Sequence, residues 1–300
     1  MKIGLVDVDG HNFPNLALMK ISAWHKAQGD DVEWCFPMSH YDIVYQSKVF
    51  DDTYSPDIDW YPDADKIIKG GTGYGLENKL PDEIEHIYPD YSLYPELTKD
   101  TAYGFLTRGC PRGCAFCIVA SKEGRRSHKV ADLSEFWRGQ KNIVLLDPNI
   151  LACKNRDKAD LFRQLIDSHA TVDFSQGLDI RLTNFYVAEY LNNIRVKRLH
   201  FAWDNPEDDL TPYFERFTEY YKRKSSSGKV VYVLTNFNST MEQNLYRIYT
   251  LRDLGYDPYV MVYDKPNAPK EIKDLQRWVN NRFIFRACQR FEDYKKGGAT

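Results

Sequence analysis

The chain has 300 residues, of which 43% are apolar and 28% are charged, as in ordinary globular proteins with a full hydrophobic core. No apolar run approaches the roughly 18 residues that a membrane-spanning helix needs. The opening MKIGLVDVDG carries Asp7 and Asp9 within its apolar stretch, which argues against a secretory signal. We therefore expect a cytoplasmic protein that does not associate with membranes and whose thiols stay reduced.

Charge divides the chain into two parts. Residues 1–98 contain seven lysines, no arginine and eighteen acidic residues, which gives a net charge of −11. The remaining residues carry 33 basic and 25 acidic side chains, a net charge of +8. Either the two parts attract each other, or the second part binds an anionic partner, for which arginine is well suited. The change in charge predicts two domains, 1–98 and 99–300.

The first domain contains short apolar segments in a regular order. The sequence predicts strands at KIGLVDV, DDVEWC, YDIVYQSKVF and ADKIIKGG, with a helix at FPNLALMKISAWHKAQG after the first strand. This order is typical of a small Rossmann-like parallel sheet. Residues 72–100 are rich in proline, glycine, tyrosine and acidic side chains, and we interpret them as a linker over the domain boundary.

From residue 101 onward, strand and helix patterns alternate. The predicted strands are 102–107, 142–147, 171–176, 196–203, 229–235 and 258–263. The predicted helices are 131–140, 156–169, 184–193, 207–225, 240–254 and 269–281. Six successive βα units favour a parallel sheet that curls into an open barrel, because right-handed crossovers keep the helices on one side. In such a barrel, reactive groups lie at the carboxyl ends of the strands.

Three of the six cysteines lie just beyond the first of these strands, in TRGCPRGCAFC. Cys110, Cys114 and Cys117 cannot pair into disulfides without leaving one over, and reduced thiols are expected in the cytoplasm. A structural zinc site needs a fourth ligand, for which the candidates are His128, Cys35, Cys153 and Cys288. None of these belongs to a second CxxC pair. The alternative is a four-iron cluster with three protein ligands and one open iron.

The cysteine loop closely resembles the signature of the radical S-adenosylmethionine (radical SAM) enzymes, including the aromatic Phe116 directly before the last cysteine. Its sequence is most similar to that of the branch with an N-terminal cobalamin-binding-like domain. The resemblance implies an α/β chain: a small, abridged Rossmann-like domain followed by a partial (β/α)6 barrel. It also implies a [4Fe–4S] cluster on Cys110, Cys114 and Cys117. In this family, S-adenosylmethionine chelates the open iron and is cleaved by one electron to a 5′-deoxyadenosyl radical, which abstracts hydrogen from a substrate.

Polar side chains follow the second and third predicted barrel strands. The family usually carries a Gly-Gly-Glu-like segment after the second strand to hold the methionine amine; here that place reads LLDPN, so Asp147 and Asn149 are the candidates. A helix cap or turn is the alternative for Asp147. Arg181, after the third strand, is suited to the methionine carboxylate. A salt bridge from Arg181 to Asp179 is the alternative.

The fourth predicted strand ends in AWDNP. Asp204 and Asn205 suit ribose hydroxyls by residue type, and a turn before a helix is the alternative. The full set of candidate contacts to S-adenosylmethionine comprises Phe116, Asp147, Asn149, Gln176, Asp179, Arg181, Asp204 and Asn205. The sequence does not identify a catalytic acid or base.

The N-terminal domain raises the question of cobalamin. DGHNFP places Asp9, His11 and Pro14 at the spacing of the Asp-x-His-x-x-Gly signature, in which the histidine ligates cobalt and the aspartate orients it. Proline replaces the final glycine, and the domain is a few tens of residues short. We therefore expect a retained fold that has lost the cofactor, in which His11 is a capping or loop residue, and bound cobalamin is the alternative.

Three functions remain open from the sequence. The first is a radical SAM enzyme with an unidentified substrate, served by an electron donor such as flavodoxin or ferredoxin. The second is a cobalamin-dependent radical SAM methyltransferase. The third is a non-catalytic binding protein stabilised by a metal. The possible substrates are a small metabolite, a peptide, or a nucleotide or RNA. The basic excess after residue 98 and the 21 tyrosines are features that would suit a nucleotide or RNA.

Overall fold

The structure is a computed structural model that describes residues 1–10, 12–222 and 228–297. The chain divides into two compact units, Met1–Val144 and Leu145–Thr300. His11, the predicted cobalt ligand, lies outside the described residues. Among the helices described, none is long and apolar enough to cross a membrane.

The first unit begins with a parallel four-stranded sheet of order β2-β1-β3-β4. Apolar residues of β1 are fully buried against helix α1, where Ile3 and Leu5 contact Leu18 and Ile21. Asn15 begins this helix because its side chain accepts the Leu18 N–H. The elements are β1 (Lys2–Asp7), α1 (Leu16–Ala27), β2 (Asp31–Trp34), β3 (His40–Ser47) and β4 (Asp63–Gly70).

The predicted linker contains short helices and is tied to the residues that follow it. The Tyr91 hydroxyl donates to the Phe136 carbonyl at 2.6 Å and accepts the Tyr103 N–H at 3.2 Å. The elements of this part are α2 (Asp82–Glu85), a 3-10 helix (Tyr91–Leu93), α3 (Pro95–Thr98), β5 (Thr101–Gly104), β6 (Thr107–Arg108), α4 (Val119–Lys122), β7 (His128–Lys129) and a 3-10 helix (Leu133–Glu135).

The predicted helix at 131–140 is wrong. Only one 3-10 turn forms there, bounded by the reciprocal capping of Asp132 and Glu135. The chain then leaves helical geometry at Gly139, whose φ of +98° is a left-handed conformation. The Trp137 indole donates to the Gln140 carbonyl at 2.8 Å and stabilises this turn.

Strand β8 (Asn142–Leu145) neighbours β5, and its last residue already belongs to the second unit. From β8 onward the order is β8-β9-β10-β11-β12, and β9 to β12 are parallel. The elements are a 3-10 helix (Ile150–Ala152), α5 (Asn155–Asp167), β9 (Thr171–Phe174), a 3-10 helix (Ile180–Leu182), α6 (Phe185–Asn193), β10 (Arg195–Ala202), α7 (Thr211–Tyr220), β11 (Lys229–Thr235), α8 (Met241–Asp253), β12 (Asp257–Val262), α9 (Lys270–Asn280), α10 (Arg282–Ala287) and α11 (Phe291–Gly297).

All six predicted barrel strands are present, and the predicted α/β class is confirmed. The largest difference among the later helices is α7, which begins at Thr211 instead of residue 207 because Pro212 occupies its first turn. Its apolar side packs on β10, where the Phe201 ring lies 6.1 Å from Phe214 and 5.2 Å from Phe217. Because side chains alternate along a strand, the intervening residues of β10 point away from this helix.

Candidate active site

A two-stranded antiparallel hairpin closes the base of the cysteine loop. β6 pairs with β7, with Arg108 opposite His128. Directly after β6, the Cys110 N–H donates to the Gly124 carbonyl at 3.1 Å. The two ends of the loop at 109–127 are therefore held together by backbone hydrogen bonds, which do not involve any thiol.

Arg108 reinforces this base through two carboxylates. Its guanidinium contacts Glu123 at 2.8 Å and Glu85 at 3.1 Å, and lies over the Phe105 ring at 3.9 Å from its centroid. Glu123 also accepts the Gly109 N–H at 3.1 Å. One acidic side chain thus joins the arginine to the backbone at the start of the loop.

Glycine is required at two places within the loop. Gly109 has a φ of +82°, and a Cβ there would lie 2.3 Å from the Arg126 carbonyl oxygen. Gly113 has a φ of +57°. The loop turns again where the Cys117 N–H donates to the Cys114 carbonyl at 3.0 Å. The three cysteines lie within eight residues of the sequence, and these turns fold that segment into one short loop.

The donor set of this loop fits an iron–sulfur cluster with one open iron. All three thiols, those of Cys110, Cys114 and Cys117, are half-buried, and a three-thiolate set is what such a cluster takes from the protein. Within the described part of the chain, no group of three or more histidine, cysteine, aspartate or glutamate side chains converges closely enough to hold a metal ion. Cluster binding therefore requires the cysteine side chains to turn toward a common centre. Phe116, predicted to contact S-adenosylmethionine, is half-buried in the same loop.

The strand-end candidates all lie in the second unit. Asp147 and Asn149 follow β8 and are each 3% exposed. Gln176 follows β9 and is exposed. These three residues come two to four positions after their strands, as the sequence predicts, and their roles toward the methionine moiety stay predictions.

Arg181 lies in a chain of polar contacts. Its Nε is 2.7 Å from Asp179 and its guanidinium is 2.9 Å from Asp208. Asp208 in turn accepts from the Asn205 amide at 3.0 Å. The salt bridge weighed as the alternative for Arg181 is thus present, and Asn205 takes part in a turn before α7. The assignment of Asp179, Arg181 and Asn205 to cofactor binding stays a prediction.

Asp204 has a strongly perturbed carboxyl group. Burial raises its pKa from 3.8 to about 6, against the opposing charge of Arg247. A carboxyl group with a raised pKa at a strand end is a candidate for proton transfer or ribose binding. Sequence reasoning placed Asp204 at this strand end but had no means of anticipating the pKa.

Arg247 of α8 is a structural residue that sequence reasoning missed. It is fully buried and donates to the carbonyls of Trp203 at 2.6 Å and Leu234 at 3.0 Å, and to the Asn244 side chain at 2.6 Å. Burial lowers its pKa to about 10, which still leaves it charged. The signal in the sequence was an arginine in the apolar stripe of α8, directly before the buried Ile248.

A second group missed from the sequence lies on the sheet face opposite α7. The His200 ring stacks on Tyr232 with centroids 5.3 Å apart, and Tyr232 meets Tyr259 edge-on at 5.9 Å. His200 Nδ1 is 3.0 Å from the Phe174 carbonyl and 3.7 Å from Asp173. Burial lowers the pKa of His200, so its imidazole is neutral at pH 7. The Nδ1 contact to a carbonyl implies that Nδ1 carries the proton and that Nε2 is a base.

In the N-terminal sheet, Asp9 has a structural role. Its carboxylate accepts the backbone N–H groups of Val49 and Phe50, which follow β3. The loop after β4 lies close to the same segment, because a Cβ on Gly71 would be 2.2 Å from the Lys48 carbonyl oxygen. Asp9 therefore orients the segment after β3 in this structure, and its role toward His11, which lies outside the described residues, stays a prediction.

Part of the chain is similar to a curated protein. No family model matches the chain. A curated protein from Pseudoalteromonas atlantica, tRNA-2-methylthio-N(6)-dimethylallyladenosine synthase, is 29% identical over 145 residues. The match covers 44% of this chain and 29% of that protein, so the chain spans less than a third of this relative's length.

Solved structures match over most of the chain. The radical SAM methyltransferase TsrM from Kitasatospora setae, with cobalamin and a [4Fe–4S] cluster bound, has a TM-score of 0.61 at 10% identity, covering 87% of this chain and 74% of that one. The predicted resemblance to the radical SAM superfamily is confirmed. TsrM with tryptophan and an S-adenosylmethionine analogue matches equally, over 72% of its chain. The expectation that cobalamin is absent is not borne out by the comparison, in which TsrM, a protein of similar fold, has cobalamin bound.

Proposed function

We propose that the chain is a radical SAM enzyme whose cluster is held by Cys110, Cys114 and Cys117. The observation that carries the proposal is the cysteine loop, in which backbone bonds and the Arg108 ion pairs fix the loop's ends without using a thiol. The fold match to a radical SAM methyltransferase supports it. A bound [4Fe–4S] cluster supplies the electron that cleaves S-adenosylmethionine to a 5′-deoxyadenosyl radical.

The remaining roles belong to the polar groups of the second unit. Asp147 and Asn149 bind the methionine amine, Arg181 pairs with the methionine carboxylate, and Asp204 accepts hydrogen bonds from the ribose hydroxyls. His200 accepts a proton at Nε2. A flavodoxin or ferredoxin is the electron donor.

We further propose that the substrate carries a planar heteroaromatic ring. The rings of His200, Tyr232 and Tyr259 form a row on one face of the β9–β12 sheet, and Tyr259 is 41% exposed. Such a row offers stacking contacts to a flat ring. The curated relative is named for a modified adenosine in tRNA, and the solved structure contains tryptophan, both of which are heteroaromatic.

The second candidate function is cobalamin-dependent methyl transfer. Large apolar side chains are exposed in the loops that leave the carboxyl ends of the first three strands, where Phe13 is 71%, Phe36 59% and Phe50 57% exposed. In open parallel sheets, ligands bind at the carboxyl ends of the strands, and an exposed apolar edge favours a large flat ligand there. The residues present therefore fit a corrin ring without the predicted histidine ligand.

Iron and sulfide analysis after anaerobic reconstitution tests the cluster assignment. We expect about four iron and four sulfide per chain in the wild type. Cys114→Ala loses the cluster, whereas Cys288→Ala, a half-buried cysteine after α10, keeps it. One zinc per chain without iron or sulfide would instead establish the structural metal site.

Reconstitution with hydroxocobalamin tests the second candidate. Retention of the corrin absorbance after gel filtration, together with formation of S-adenosylhomocysteine, supports methyl transfer. A wild-type protein that binds the cluster but leaves all cobalamin in the flow-through retains the first proposal and excludes the second.

A further inference from the structure

Helices α5, α6 and α7 border a groove of about 510 Å³ in the second unit. Lys158 of α5, Arg181 before α6 and Arg216 of α7 line it, and none of the ten described lining residues is acidic. Cations that line a groove without carboxylate partners create a positive potential that favours an anionic ligand.

Two of these cations are available for such a ligand. Arg181 is neutralised by its two carboxylate partners. Lys158 Nζ is 3.4 Å from the Asn155 side-chain oxygen, and the Arg216 guanidinium lies 5.2 Å from the centroid of the Tyr213 ring. Among the residues that the structure describes, neither Lys158 nor Arg216 forms an ion pair. Burial lowers the pKa of Lys158, which an anion beside it would reverse.

Aromatic rings lie beside these cations. Phe185 is 53% and Tyr186 is 73% exposed, although both belong to the first turn of α6. The Phe185 ring meets Tyr186 edge-on at 5.9 Å and Tyr220 edge-on at 5.7 Å. Exposed rings next to cations are the combination with which proteins bind single strands, because bases stack on the rings while phosphates meet the cations.

We propose that this groove binds a single-stranded segment of nucleic acid, with Lys158 and Arg216 on the phosphates and Phe185 and Tyr186 on the bases. A duplex fits less well, because its bases are already stacked on one another and cannot reach the rings. The charge of +8 after residue 98 agrees with a polyanionic partner. Arg181 is the only one of the ten lining residues that the proposed function also uses, and none of the ten is a cluster ligand, so nucleic-acid binding through Lys158 and Arg216 does not depend on the cluster.

Fluorescence anisotropy of a labelled single-stranded oligoadenylate, in RNA and DNA versions, tests the proposal on the full-length chain. Salt is varied between about 50 and about 200 mM, because each phosphate contact contributes roughly −0.7 to the slope of log K against log salt for single strands. Lys158→Gln together with Arg216→Gln should reduce the slope by about 1.4 and weaken binding at low salt. A preference of the wild type for the RNA version identifies RNA as the partner, and a preference for the other version identifies single-stranded DNA.

The aromatic contacts are tested separately. Tyr186→Ala should weaken binding by roughly 5-fold or more, the loss of one stacked base, while Tyr186→Trp should bind as the wild type does. The matched controls are Arg163→Gln on α5 and Phe283→Ala on α10, both exposed and outside the groove, and neither should change affinity.

Three results would overturn the proposal. These are the absence of salt-dependent binding to either oligonucleotide, a double variant that binds like the Arg163→Gln control, and tighter binding to duplex than to single strand. Cleavage of S-adenosylmethionine by the same variants is measured in parallel and should be unchanged, so a failure of the groove leaves the cluster assignment intact.

Discussion

Two arginines, one in each compact unit, hold backbone segments next to candidate functional residues by different chemistry. Arg108 at the base of the cysteine loop is 26% exposed and is neutralised by Glu85 and Glu123. Arg247 in α8 is fully buried and donates mainly to backbone carbonyls at the ends of β10 and β11. Arg108 forms ion pairs that solvent can reach. Arg247 donates hydrogen bonds to carbonyls that would otherwise be buried without a donor.

The difference predicts unequal consequences. A partly exposed ion pair contributes about 1 kcal/mol or less, because solvent competes for both charges. Removal of a buried donor leaves its acceptors unsatisfied, at about 1–3 kcal/mol each. The strand ends that carry Asp204 should therefore depend on Arg247 far more than the cysteine loop depends on Arg108.

Arg247→Met should have the largest effect. It removes the donor to the buried carbonyls of Trp203 and Leu234 and to the partly buried carbonyl of Asp204, and should lower the free energy of unfolding by about 3–5 kcal/mol. By differential scanning calorimetry, Tm should fall by roughly 6–15 °C. Arg247→Lys keeps the charge but not the forked donor geometry, so its Tm should lie between those of the wild type and Arg247→Met. An unchanged Tm in Arg247→Met would show that other contacts hold these strand ends.

Asp204→Asn should change the pH dependence of stability. Because burial raises the pKa of Asp204 to about 6, the folded state binds this proton more tightly than the unfolded chain, whose aspartate pKa is 3.8. Its contribution is therefore fully present below about pH 4 and is lost as the pH rises through about 6, a change of about 3 kcal/mol. Urea denaturation across this range should show the decline in the wild type only, and parallel curves for the two proteins would contradict it.

Arg108→Gln should loosen the cysteine loop by about as much as it destabilises the protein. Loss of both ion pairs should lower the free energy of unfolding by about 1 kcal/mol. Opening of the loop should become roughly 5-fold more frequent, which the rate of cysteine modification by a thiol reagent measures in the cluster-free protein. Arg126→Gln, an exposed arginine at the end of the same loop, serves as the control and should react at the wild-type rate.

Lys122→Ala should have the smallest effect. Lys122 Nζ donates to the Thr72 hydroxyl, and burial lowers its pKa. We expect a loss of about 0.5 kcal/mol, with a coupling of similar size between Lys122→Ala and Thr72→Val in a double-mutant cycle. Purely additive effects would show that this contact does not form in solution.

The sequence predicted the elements whose information is local. The motif of Cys110, Cys114 and Cys117 is contained in eight consecutive residues. The strands from residue 101 onward are predicted by short apolar runs between helical patterns. The helix expected at 131–140 failed because one capped turn and the left-handed Gly139 outweighed its apolar spacing. The domain boundary near residue 98 stays a prediction. The two compact units of the structure divide after Val144 instead.

The chemistry that depends on tertiary contacts could not be predicted in the same way. Asp204 was placed correctly after β10, but its raised pKa arises from burial that the sequence does not specify. The proton on His200 Nδ1 follows from the position of the Phe174 carbonyl on the neighbouring strand. The basic groove joins Lys158 and Arg216, which are 58 positions apart in the sequence.

Reductive cleavage of S-adenosylmethionine tests the central claim most directly. The anaerobically reconstituted wild type and Cys288→Ala, given S-adenosylmethionine and dithionite, should release 5′-deoxyadenosine and methionine in equal amounts, as measured by liquid chromatography and mass spectrometry. Cys114→Ala should release neither. Equal 5′-deoxyadenosine from Cys114→Ala and the wild type, or none from a wild type that holds its full complement of iron and sulfide, would contradict the assignment.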